Sequence, residues 1–116
     1  MNKSKLTGQI QLDQLFSEVK KLKFEELRQD EPDIFECVMH VNHLELLNLI
    51  LKRYFGDALK SAGETPTKEA QECAQNFGGI SSNQTLYYLN NNGFAAIAMI
   101  WPWNDKTLAT IKVLKI

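Results

Sequence analysis

Residues 70–94 read AQECAQNFGGISSNQTLYYLNNNGF, and the fold turns on how this stretch is read. One reading is helix, tight turn at Gly78 and Gly79, second helix, Gly93, strand. The other is helix, glycine stop, loop, then a β-hairpin turning at NNNG. Thr85, Tyr87 and Tyr88 are strand-forming residues, and Asn-Gly between two such runs is a strong hairpin signal. Both readings fit the residue types, so both are carried outward along the chain.

Downstream, FAAIAMIWPWNDKTLATIKVLKI (94–116) reads as two strands joined by the turn residues of PWNDK. Upstream, TPTKEAQECAQNF (65–77) reads as a short helix with threonine and proline at its start. Ala70, Cys73, Ala74 and Phe77 form its buried stripe. NHLELLNLILKRYFGDALKS (42–61) is the clearest helix. Asn42 and Glu45 have capping-box spacing, Leu44, Leu47, Leu51, Tyr54 and Phe55 make a wide apolar face, and Gly63 is a natural stop. DIFECVMHV (33–41) suits a short helix from Pro32 or a strand buried on both faces, and the strand is preferred. LDQLFSEVKKLKFEELRQ (12–29) reads as helix. Leu12, Leu15, Phe16, Val19 and Leu22 fall on one stripe that Phe24 and Leu27 extend, and Pro32 ends it.

A chain of 116 residues, 44% hydrophobic and 23% charged, has the size and composition of one globular domain, 1–116. FAAIAMIW is its longest apolar run, far short of the roughly 20 residues of a membrane span. The opening MNKSKLTGQIQLDQ has no apolar stretch behind its lysines, so it is not read as a secretory signal. The expected setting is cytoplasmic, without a membrane partner. The net charge of −1 and pI near 6.1 lack the basic footprint usual for nucleic-acid binders, although local charge counts for more than the sum.

In its first reading the order after Thr67 resembles the winged helix-turn-helix superfamily. KEAQECAQNFGGI stands for the supporting helix and turn, SSNQTLYYLNNNGF for the recognition helix and its end, and WPWNDK for the wing tip. The resemblance covers residues 67–115. It implies an α+β fold with a helical N-terminal two-thirds and a C-terminal antiparallel β-hairpin. It also implies a regulator that binds duplex DNA, and allows a homodimer held by the first helix and DIFECVMHV. Ser81, Ser82, Asn83, Gln84 and Tyr87 would face the DNA, since Asn and Gln read adenine edges and Ser reaches phosphates. That helix carries no Lys or Arg, so its phosphate contacts fall to Lys106 on the wing, Lys68 and the N-terminal lysines.

The hairpin reading leads elsewhere. It implies a three- or four-stranded antiparallel sheet packed by helices on one face. The function is then a non-enzymatic protein-protein interaction module, such as an adaptor, inhibitor or immunity-type protein. Tyr88 and Trp103 would meet the protein partner, tryptophan being common among interface hot spots.

Other chemistry is thinly supplied. Cys37, His40 and His43 are metal-ligand types, with Glu36 or Glu45 as a conceivable fourth. A strand would point Cys37 and His40 to opposite faces, so a buried thiol with two surface or capping histidines is the simpler reading. Neither cysteine has an evident electropositive setting for nucleophilic work. No phosphate-binding glycine loop, metalloprotease helix or GxSxG is present. The expectation is no enzyme and no cofactor.

Overall fold

The computed structural model describes residues 5–116. In chain order the elements are α1 (Gln9–Lys20), β1 (Glu26–Glu31), β2 (Ile34–His40), α2 (Leu44–Phe55), α3 (Lys68–Ala74), β3 (Thr85–Asn91), β4 (Phe94–Pro102) and β5 (Leu108–Lys115). The strands form one five-stranded antiparallel sheet in the order β1-β2-β5-β4-β3.

Alternation along the strands builds two cores, one on each face. Phe35, Cys37 and Met39 of β2, Ala109, Ile111 and Val113 of β5, and Ala96, Ala98 and Ile100 of β4 point to one face. There they meet Leu12, Leu15, Phe16 and Val19 of α1 and Leu47, Ile50, Leu51, Tyr54 and Phe55 of α2. On the other face Leu86, Ile97 and Met99 meet Ala70 and Ala74 of α3. Thr67 caps α3 by accepting a hydrogen bond from the Ala70 N–H at 3.1 Å. Gly78, at φ 106°, ends the 3₁₀ turn that follows α3.

The NNNG stretch is the hairpin turn between β3 and β4. Asn92 (φ 53°) and Gly93 (φ 91°) both take the left-handed conformation. A two-residue turn of the primed type requires this, and Asn-Gly supplies it at least cost.

Several expectations are thereby corrected. A winged-helix-like fold, with a helical N-terminal two-thirds and a C-terminal hairpin, is not formed. Residues 85–91 are a strand, so no recognition helix exists. The β4–β5 pair is no wing either: β5 also pairs with β2 along its length, from Ile34↔Leu114 to His40↔Leu108, and lies in the middle of the sheet. The three- or four-stranded alternative also falls short, because β1 makes a fifth strand and helices cover both faces. β1 was read as helix because Leu22, Phe24 and Leu27 continue the helical spacing. Every residue of β1 is exposed, so no alternation marks it as a strand. α1 instead closes with Lys21 and Leu22 donating to Glu18 and Val19, three residues back. Glu25 N–H then donates to the Val38 carbonyl at 2.7 Å and opens the β1–β2 ladder. The long helix stops at Gly56 (φ 88°), seven residues before Gly63. Asn42 is no cap; its N–H donates to His40 Nδ1 at 3.1 Å.

One carboxylate ties the two helices of the larger core. Glu18 on α1 accepts from the Tyr54 hydroxyl and pairs with Arg53 at 3.1 Å, both on α2. The Tyr54 bond, helped by Arg53, holds the Glu18 carboxyl below its ordinary value of 4.5. A carboxyl depressed in the fold stabilises it above the unfolded value, and that contribution is lost as pH falls through the folded one. Glu18→Gln should therefore flatten the loss of stability on acidification below about pH 5. Urea midpoints across the acid range test this; parallel curves for the two proteins would disprove the link.

Candidate functional site

The residues expected to read DNA are distributed quite differently. Ser81, Ser82, Asn83 and Gln84 lie in the loop that enters β3. Much of their polar capacity is spent on that loop. Gln84 Oε1 accepts from the Ser81 N–H at 2.8 Å, and Ser81 Oγ donates to Asn83 Oδ1 at 3.0 Å. The buried Lys60 ammonium donates to the carbonyls of Ser82 and of Gln84, the latter at 2.6 Å. Burial pulls that amine below the ordinary lysine value, and the Glu64 carboxylate draws it partly back.

Tyr87, expected on an outer helix face, is a core residue. Its ring packs 5.8 Å from that of Phe55, and its hydroxyl donates to Asn48 Oδ1 at 2.7 Å. Burial, with the Asp57 charge, pushes the phenol up to about 12. Tyr88 points to the opposite face and stays half-exposed in a groove beside α3. Lys68 stands in the first turn of α3. Of the N-terminal lysines, Lys3 lies outside the described residues.

Trp103 and Lys106 belong to the turn between β4 and β5. Asp105 organises it by accepting from the Thr107 N–H at 2.9 Å and the Leu108 N–H at 3.3 Å. The Thr107 backbone bond is the main reason its carboxyl titrates below the usual range. Lys106 is exposed at φ 61°, and its N–H donates to the Trp103 carbonyl. The Trp103 indole turns back over the sheet, where Nε1 donates to Thr110 Oγ1 at 2.9 Å. Thr110 and its cross-strand partner Val38 are both buried there. The Arg28 guanidinium lies 5.8 Å from the indole centroid. The same Arg28 pairs with Glu26 at 2.6 Å and Glu36 at 3.7 Å, and Lys112 approaches Glu36 at 4.0 Å.

Thus α3 serves the β3–β4 end of this sheet face, while the β1–β2 end carries an aromatic and charged surface made by β1, β2, β5 and the β4–β5 turn. Such a surface can stack, hydrogen-bond and pair charges with another macromolecule. Arg28 and Lys112 were not singled out as site residues in the sequence, and Glu36 was considered only as a fourth metal ligand. Glu36 alone left a signal, as the charged residue amid the apolar positions of DIFECVMHV.

The remaining candidates separate. Cys37 is buried in the larger core, and burial pushes its thiol up to about 12, which disfavours the nucleophilic thiolate. His40 is on the other face of β2, and His43 sits in the turn before α2. Among the described residues no three His, Cys, Asp or Glu side chains gather to hold a metal ion. No helix among them is long and apolar enough to cross a membrane. β2 has both edges paired, and α1 turns Leu12, Leu15, Phe16 and Val19 inward.

Comparison of the chain with protein-family models, with curated proteins and with solved structures finds no match.

Proposed function

We propose that the protein is a non-enzymatic protein-binding module that presents the face around Trp103 to a protein partner. The observation that carries this reading is the open Arg28–Trp103–Glu36–Lys112 surface. It combines an aromatic ring with charges of both signs, the charges standing on β1, β2 and β5 and the ring being fixed from the β4–β5 turn by its hydrogen bond to Thr110. Arginine and tryptophan are the residues over-represented where interfaces concentrate their energy. Paired acids and bases favour a partner of mixed charge over a polyanion. Duplex DNA was favoured by a helix over residues 82–91, and a strand there takes that support away.

A photo-crosslinking residue at Lys106, beside Trp103, tests the proposal in cells making the protein. A discrete protein adduct is expected, and Arg28→Glu should weaken it about tenfold by reversing a charge in the contact. Duplex DNA at low salt should show no saturable binding. An absent adduct, together with tight and steeply salt-dependent DNA binding, would return the DNA reading.

A further inference from the structure

The two edges of the sheet are built differently. β1 (Glu26–Glu31, ELRQDE) carries Glu26, Arg28, Asp30 and Glu31, and its register shifts between Leu27 and Gln29. Its charges are engaged by Lys20 at 2.7 Å and by Glu36. Charges and a bulge are the devices that keep a foreign strand from pairing with an edge. β3 (Thr85–Asn91, TLYYLNN) has no charged residue.

Among the described residues the β3 edge is closed at one point only. Leu86 N–H donates to the Lys60 carbonyl at 2.9 Å, and the Leu86 carbonyl accepts from Leu59 and Lys60 at 2.9 and 3.2 Å. These bonds show which way Leu86 faces: its backbone groups point away from β4. Alternation in an antiparallel ladder then sends the N–H and C=O of Tyr88 and of Asn90 outward as well. Among the described residues β4 is the only strand beside β3, and Asn90 is exposed. On the α3 face Tyr88 of β3, Cys73 and Phe77, and Ile116 across β4 line a groove of ≈ 350 Å³ with Glu69 and Glu72. Both glutamates are exposed, and neither takes part in the ion pairs found among the described residues.

We propose that the β3 edge takes up an extended segment of a partner protein, which adds a strand at Tyr88 and Asn90 and sets a lysine or arginine in the groove between Tyr88 and Glu69/Glu72. Every second side chain of an added strand falls on this face. Here it meets apolar walls for a side-chain stem and carboxylates for a cationic head. A second copy of this chain is the poorer occupant. Two-fold pairing through β3 sets the two acidic grooves side by side on one face, where they repel. The inference rests on the protein-binding reading and adds a site distinct from the Trp103 face.

The test uses labelled Thr/Val peptides with lysine, or glutamate in its place, at one central position. Fluorescence polarisation should show saturable binding of the lysine peptide below about 1 mM, with the glutamate peptide at least about tenfold weaker. N-methylation of the lysine peptide's edge-facing amides should abolish binding. Asn90→Pro, tolerated on an edge whose N–H faces solvent, should do the same. Glu69→Lys with Glu72→Lys should reverse the peptide preference while leaving the strand intact. No saturable binding, equal binding of both peptides, or full binding by Asn90→Pro overturns the inference; so does a sedimentation mass of two chains that Asn90→Pro returns to one. If the edge fails while the Lys106 adduct persists, only this inference falls; if the adduct is also absent, the protein-binding reading falls with it.

Discussion

Phe35→Ala is expected to destabilise the fold by about 3–5 kcal/mol, the usual range for a phenylalanine truncated in a core. Phe35 is fully buried on β2, and three contacts converge on its ring. Phe16 of α1 lies 5.9 Å away, Phe24 meets it edge-on at 6.2 Å, and the Lys20 ammonium sits 5.7 Å from its centroid. The ring therefore joins the first helix, the segment leading into β1, and the sheet. Domains of this size have total stabilities of about 5–15 kcal/mol, so the loss takes a large share. Phe35→Leu should cost much less, because it refills most of the volume. Urea unfolding would show the midpoint of Phe35→Ala far below that of Phe35→Leu, and near-equal midpoints would remove the ring from its central place.

Lys60→Met should cost about 2–4 kcal/mol, for a different reason. The substitution keeps length and apolar volume. It removes the ammonium that donates to the Ser82 and Gln84 carbonyls; Ser82 keeps the Gly63 N–H, while Gln84 is left beside a side chain that offers nothing. An orphaned acceptor costs more than the average hydrogen bond contributes. The loss should also be local. Lys60 and its neighbour hold Leu86 by backbone bonds, and Gly63 N–H donates to the Ser82 carbonyl at 2.7 Å. Amides of residues 81–86 should thus lose hydrogen-exchange protection before those of β2 or β5. A midpoint within about 0.5 kcal/mol of the parent, the spread of ordinary surface changes, would mean the ammonium is dispensable.

Much of the architecture could be read from residue patterns. The apolar stripe of α1, the buried face of α2, the stripe of α3 and the two C-terminal strands all follow from spacing and stand in the structure. NNNG announced its turn through the one pair of residues that tolerates two consecutive positive φ angles cheaply. β1 was invisible because an exposed edge strand has no buried face to impose alternation. Pairing was invisible as well: nothing local says that β5 inserts between β2 and β4. The candidate sites suffered most from this. Arg28, Glu36, Trp103 and Lys112 come from three strands and a turn, and only pairing assembles them. Tyr87 and Tyr88, adjacent in sequence, are sent to opposite faces by the strand a helix reading had replaced.

The position of β5 bears on how the chain acquires its shape. The β1–β2 and β3–β4 hairpins each close through a two-residue turn and can form from neighbouring residues. Neither touches the other in the sheet except through β5, whose residues are made after all the other strands. Pairs such as Phe35↔Val113 span most of the chain, and such long-range closure is slow. Until β5 pairs, the facing edges of the two half-sheets are bare. β5 is thus the key that joins two half-sheets, and a chain that has not yet placed it is the form most exposed to mispairing.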